Sequence, residues 1–238
     1  MRVPLAVVGL NELDIENVVK VLRSGKLTMG DNVAKFEIAM SEYLGVNHFI
    51  MVNSGSSANL LIFESLLRPL NGKPKLKIGD GVLVPAIAWP TSIWPIIQLG
   101  LVPIFIDVAR DTFALDLNSA SRAITQSEVP VKAIFPIHPL GFAIDQEELN
   151  SFTQENSLIL VSDVCESLGS WSRGLHAGTS GIAASFSFYF SHHITTMEGG
   201  GVATNDDELA NDLRSIRSHG WSRDRNDSKE WLNKKSGN

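Results

Sequence analysis

The segment Phe186-Ser187-Phe188-Tyr189-Phe190-Ser191-His192-His193-Ile194-Thr195-Thr196-Met197-Glu198-Gly199-Gly200-Gly201 sets two adjacent histidines ahead of a glutamate and three glycines. An imidazole titrates near neutrality, so these histidines are candidates for general acid or base work. On a strand they would point to opposite faces, so they do not form a chelating pair from one element. Neither HExxH nor CxxC spacing is present, and no metal is expected. The turn Asn53-Ser54-Gly55-Ser56-Ser57 is suited to an anion. Gly55 lets backbone approach closely, the hydroxyls donate, and a following helix would offer free N–H groups and a favourable dipole. Ser- and Gly-rich helix starts are also common without any ligand. Asp163 follows the apolar run Leu158 to Ser162, with Glu166 three residues on. A carboxylate there can be catalytic, can hold a cationic ring nitrogen, or can cap the next helix. Trp89 follows Val84-Pro85 and can stack on a planar ligand or pack in the core. A dinucleotide site is not supported, because no G-x-G-x-x-G follows the first strand.

Elements must hold these residues. Ile15, Val18, Val19 and Leu22 recur at helical spacing before Gly25, and Val33, Phe36, Met40, Tyr43 and Leu44 before Gly45. A further helix is expected after Ser57, to about Leu67. Short apolar runs at Phe49–Val52, Val82–Val84, Ile104–Ile106, Ala133–Phe135, Leu158–Val161, Ser185–Tyr189 and Val202–Thr204 read as buried strands. Helices are expected over Leu117–Thr125, Asp145–Gln154 and Asp206–Arg217. This alternation predicts an α/β fold, a mostly parallel sheet with helices on both faces. Ligands in such folds sit beyond the carboxyl ends of the strands, where all the candidate residues fall. Residues 221–238 are polar and show no finished element.

The chain has 238 residues, of which 44% are apolar and 19% charged, so it is globular. It has 20 Lys+Arg against 26 Asp+Glu and a net charge of −6, with no basic run, so no nucleic-acid partner is expected. The opening residues lack the pattern of a signal peptide, and no apolar stretch is long enough to span a membrane. A soluble, cytoplasmic protein is expected.

In order along the chain, several segments resemble the DegT/StrS family of pyridoxal-phosphate-dependent sugar aminotransferases. Leu22 to Gly30 resembles the family's opening segment, and Asn53-Ser54-Gly55-Ser56-Ser57-Ala58 its phosphate turn. Val84 to Trp89 resembles the loop with the ring-stacking aromatic, and Pro136-Ile137-His138-Pro139-Leu140-Gly141 a substrate-side loop. Ser162-Asp163-Val164-Cys165-Glu166-Ser167-Leu168-Gly169 resembles the segment whose Asp pairs with the pyridine nitrogen, and Phe186 to Gly200 the cofactor-lysine segment. The resemblance implies the large domain of the aspartate-aminotransferase-like fold. It implies that Gly55, Ser56 and Ser187 hold the phosphate, that Trp89 stacks on the ring, and that Asp163 keeps the ring nitrogen protonated. Glu166 stands where the family has a Gln near the ring hydroxyl.

His192 falls where the family has its lysine, and no Lys lies between Lys132 and Lys229. An imidazole cannot hold the cofactor covalently as a lysine amine does. This variant resembles a branch that deoxygenates nucleotide-linked 4-keto-6-deoxy sugars at carbon 3, in deoxysugar and cell-surface polysaccharide biosynthesis. Its implied cofactor is pyridoxal 5'-phosphate, working as pyridoxamine 5'-phosphate, with His192 removing a proton from the cofactor methylene carbon. One version of the branch carries an iron–sulfur cluster, which takes four thiolates. Cys165 is the only cysteine, so the version without iron, regenerated by glutamate, is implied. The family also implies a homodimer and a longer chain, with residues 1–220 as an incomplete cofactor-binding large domain and 221–238 as the start of a C-terminal portion. The alternatives are an ordinary nucleotide-sugar aminotransferase, against which His192 argues, and a non-catalytic cofactor-binding fragment.

Overall fold

The computed structural model describes residues 4, 7, 9–70 and 72–236. The reading of the opening residues therefore lies partly outside the described residues, as do the last two, 237 and 238. Helix α1, Glu12–Ser24, starts at Asn11 with a capping box to Asp14 and stops at Gly25, whose φ is +71°. Helix α2, Asp31–Leu44, stops at Gly45 with φ +68°. Both stops are where the glycines predict them. Strand β1 is His48–Val52 and helix α3 is Gly55–Leu67. Strand β2, Gly81–Pro85, leads to helix α4, Pro90–Gln98, and then to strand β3, Val102–Ile106. Helix α5, Leu117–Gln126, precedes strand β4, Val131–Ile134, and helix α6, Gln146–Glu155, precedes strand β5, Ile159–Asp163. A small hairpin of β6, Trp171–Ser172, and β7, Leu175–His176, follows. Strands β8, Ala183–Ser187, and β9, Gly200–Thr204, then lead to helices α7, Asp207–Ile216, and α8, Ser228–Ser236.

The main sheet has the order β1-β9-β8-β5-β4-β2-β3. The pairs β8-β5, β5-β4, β4-β2 and β2-β3 are parallel. Strand β9 runs against both β1 and β8. Successive residues of the apolar runs face opposite sides. Val82 and Val84 join a core with Ile62, Phe63 and Leu66 of α3, Ile96 of α4 and Leu213 of α7. Leu83, with Ile134 and Leu160, joins one on the other face with Ala120 of α5 and Leu149 of α6. Phe49, Phe186 and Ala203 pack on that second side against Met40 and Leu44 of α2. The expected sheet with helices on both faces is what forms.

Three expectations change. Helix α4 is not among the expected helices; it opens on Pro90, which takes the first helical position, where no N–H is needed. Strand β8 ends two residues before Tyr189, because the backbone of Phe188 bonds to Gly199 and Thr196 and closes a loop instead. The segment 221–238 does carry a finished element, α8. It is led in by Arg225, whose fully buried side chain pairs with Asp212 at 3.1 Å and Asp227 at 2.7 Å.

A mostly buried ion pair joins α2, β1 and α7. Glu37 Oε1 accepts from Met51 N–H at 2.8 Å and from Arg217 Nη1 at 2.5 Å, and the same nitrogen donates to Met51 O at 3.0 Å. Glu37→Ala leaves a buried guanidinium without its carboxylate, a loss of about 3 kcal/mol. Thermal unfolding should show a clearly lower Tm for this variant; an unchanged midpoint would show that the pair contributes nothing.

Candidate active site

The carboxyl ends of β1, β2, β5 and β8 lie on one edge of the sheet. Because β9 runs the other way, its first residues reach that same edge. At the end of β1, Ser54 caps α3, its Oγ accepting from Ser57 N–H at 3.1 Å. The N–H groups of Gly55 and Ser56, at the positive end of the helix, have no acceptor among the described residues. A methyl group on Gly55 would sit 2.7 Å from Ser187 Cβ and 2.9 Å from Cys165 Sγ. One on Gly200 would collide with the Ser54 carbonyl and the Gly55 nitrogen. The helix start, the end of β8 and the start of β9 therefore meet backbone to backbone. The glycine run singled out in the sequence is a packing requirement: Gly201 likewise makes room for the Phe49 ring, and Gly199 for Thr196.

Asp163 is the last residue of β5 and is 4% exposed. No helix follows it, so the helix-cap reading does not hold. Its Oδ1 accepts from Cys165 N–H at 3.0 Å. Its Oδ2 accepts from Ser92 Oγ at 2.7 Å and Asn59 Nδ2 at 3.1 Å. Glu166 accepts from Leu140 N–H at 3.1 Å, and Ser167 links to Gly141 N–H and His138 O, so the 138–141 loop is clipped to the turn after Asp163. Trp89 precedes α4 and is 70% exposed, so it is not a core residue.

His192 and His193 lie in the loop between β8 and β9, not on a strand. His192 N–H bonds back to Tyr189 O at 3.0 Å. The ring is half-buried, and its pKa is lowered, first by desolvation and then by His193, against the opposing pull of Glu166 and Asp163. The site thus gathers Gly55, Ser56, Ser187, Asp163, Glu166 and His192, with Trp89 on the neighbouring loop. Among the described residues no group of side chains is arranged to hold a metal ion. No helix of the described residues is long and apolar enough to cross a membrane.

Sequence reasoning missed Asn59 and Ser92. The signal was available for Asn59, a lone amide ahead of the apolar run Leu60-Leu61-Ile62. His138 stands in the expected substrate-side loop, but its side chain is 0% exposed. Its Nδ1 accepts from Ile144 N–H at 3.1 Å.

The profile of the DegT/DnrJ/EryC1/StrS aminotransferase family matches residues 9–238. The chain belongs to this family. It is 40% identical over 220 residues to a GDP-4-keto-6-deoxy-D-mannose 3-dehydratase of Yersinia pseudotuberculosis, covering 92% of this chain and 55% of that protein. The E. coli GDP-4-keto-6-deoxy-D-mannose-3-dehydratase with bound hydrated PLP superposes with a TM-score of 0.86 at 38% identity, over 93% of this chain and 56% of that one. A GDP-4-keto-6-deoxymannose-3-dehydratase with a trapped PLP–glutamate geminal diamine matches equally well, with the same score, identity and coverage. The chain spans about half the length of the curated relatives it matches.

Burial lowers the pKa of His138 to about 4, although Asp163 pulls the other way. The unfolded chain takes up this proton near the ordinary value of about 6.5, and the folded protein does not until about pH 4. The stability this group contributes is therefore full above pH 6.5 and is lost as pH falls toward 4, by about 2 kcal/mol between pH 7 and pH 5. Urea unfolding at the two pH values should show this loss, and His138→Asn should flatten it. An equal slope in both proteins would place the sensitivity elsewhere.

Proposed function

We propose that this chain carries the cofactor-binding half of a pyridoxal-phosphate-dependent 3-dehydratase acting on a nucleotide-linked 4-keto-6-deoxy sugar. The observation that carries the reading is His192: a half-buried imidazole, within reach of the charges of Asp163 and Glu166, in the loop where the family has its lysine. The residues present also suit the cofactor. Gly55 brings the start of α3 into contact with Ser187, and the first N–H groups of that helix, on Gly55 and Ser56, are donors suited to an anion. Asp163 is surrounded by donors only, as a carboxylate meant for a cationic partner should be.

When bound, pyridoxamine phosphate supplies an amine and an electron-accepting ring. Gly55 and Ser56, with the Ser187 hydroxyl, would bind its phosphate at the start of α3. Trp89, exposed before α4, would stack on the ring, Asp163 would keep the ring nitrogen protonated, and Glu166 would serve the ring hydroxyl. Desolvation lowers the pKa of His192 and favours its neutral form, so its imidazole would be the group that accepts a proton from the cofactor's exocyclic carbon. Two solved relatives with PLP, one holding a glutamate adduct, support this cofactor and glutamate as amino donor. The reading includes a homodimer, supported by the exposed Ile87, Trp94 and Ile97 near Trp89, and a cytoplasmic location. The reading takes residues 1–220 as an incomplete cofactor-binding large domain and 221–238 as the start of a C-terminal portion.

The test is His192→Lys. Borohydride treatment with pyridoxal phosphate should fix the cofactor at residue 192 in the variant and nowhere in the unsubstituted protein. The variant should also lose the glutamate-dependent removal of the carbon 3 oxygen, followed by mass spectrometry of the sugar nucleotide. A fixed cofactor on the unsubstituted protein, or full deoxygenation by the variant, would sink the assignment.

A further inference from the structure

Three side chains from three elements meet below the site: Asn59 of α3, Ser92 of α4 and Asp163 of β5. Asn59 and Ser92 are each 1% exposed, and nothing in the proposed chemistry uses either. Ser92 Oγ donates to Asp163 Oδ2 at 2.7 Å. The Asn59 amide donates both its hydrogens, one to Asp163 Oδ2 at 3.1 Å and one to Thr91 O at 3.2 Å. Its own Oδ1 is buried with no partner among the described residues. That orphan is informative. Flipping the amide would set its oxygen against a carboxylate and a carbonyl, three acceptors together, so the network itself assigns the orientation. Asn59 leaves one acceptor unsatisfied in order to keep both donors on Asp163 and α4.

With Cys165 N–H on Oδ1, three donors fill three of the roughly four acceptor directions of the Asp163 carboxylate. Asn59 also lies one turn beyond Gly55 on the same face of α3, and Ser92 lies three residues after Trp89. The groups assigned to phosphate, ring face and ring nitrogen are thus tied to one buried carboxylate.

We propose that Asn59 and Ser92 are positioning residues: they fix the Asp163 carboxylate for a protonated ring nitrogen and keep α3 and α4 in register with it. The inference rests on the proposed pyridoxamine phosphate site. Loss of one of these donors lets the Asp163 carboxylate turn away from the ring nitrogen, and an ion pair weakens as its partners separate.

The experiment measures pyridoxamine phosphate binding, the absorbance of the bound cofactor against pH, and thermal unfolding. The proteins compared are the unsubstituted chain, Ser92→Ala, Ser92→Thr, Asn59→Asp and Asp163→Asn. Ser92→Ala should weaken binding roughly tenfold and lower the pH at which the bound ring loses its proton. Ser92→Thr, which restores the hydroxyl, should recover both. Asn59→Asp, which sets a second carboxylate against Asp163 and pushes it out of place, should weaken binding more than Ser92→Ala. If Ser92→Ala and Asn59→Asp lower only the melting temperature and leave the titration where it was, the residues are merely structural and the inference is overturned. If Asp163→Asn binds and titrates like the unsubstituted protein, or the unsubstituted protein does not bind, the reading of the site itself fails and takes the inference with it.

Discussion

No side chain fits between Gly200 and the peptide joining Ser54 to Gly55. The rest of the site depends on that contact. It lets β9 lie in the sheet against β1 while the chain coming off β1 turns at once into α3. A Cβ at this point would push the helix start away from the strand, and with it the bare N–H groups of Gly55 and Ser56. The same approach presses Gly55 onto Ser187 and Cys165, which brings the ends of β8 and β5 to the same spot. Hydrophobic burial on both faces drives the sheet to form. The absence of side chains at one point decides where its loops converge.

Around that contact the charges are handled unequally. Asp163 is buried but surrounded by donors. His138, just behind it, is buried without a partner for Nε2 among the described residues and is held neutral by desolvation. His192, half-buried in its loop, feels both burial and the pull of the two carboxylates. Two imidazoles near one carboxylate thus sit in different environments. One is closed to solvent and serves the 138–144 loop through Ile144. The other remains open to a reacting partner.

Much of this was legible in the sequence. The strand runs, the glycine helix stops and the Ser-Gly turn follow from periodicity and from what each residue type permits. Asp163, Glu166, Trp89 and His192 could be singled out because they stand just past strand ends. What was not legible has a common cause: it depends on contacts across elements. Helix α4 carries two prolines, and only its docking against α3 and β3 reveals that it is a helix. The glycine run looked like chemistry, yet its reason is the position of Phe49 and Ser54, far off in the chain. Asn59 and Ser92 are ordinary residues until α3, α4 and β5 are brought together. The short hairpin of β6 and β7 was missed because two-residue strands leave no pattern to read.

The two outer strands of the sheet finish differently from the inner ones. Strand β3 carries Pro103, which has no N–H to offer a newcomer. On the far side, Met51 of β1 has its N–H taken by Glu37 and its carbonyl by Arg217. An open strand edge is a template on which another chain can add itself, and proteins that leave one bare tend toward aggregation. Here a proline blunts one edge and a salt bridge occupies the other, so the ion pair that braces α2 against α7 also stops the sheet from growing.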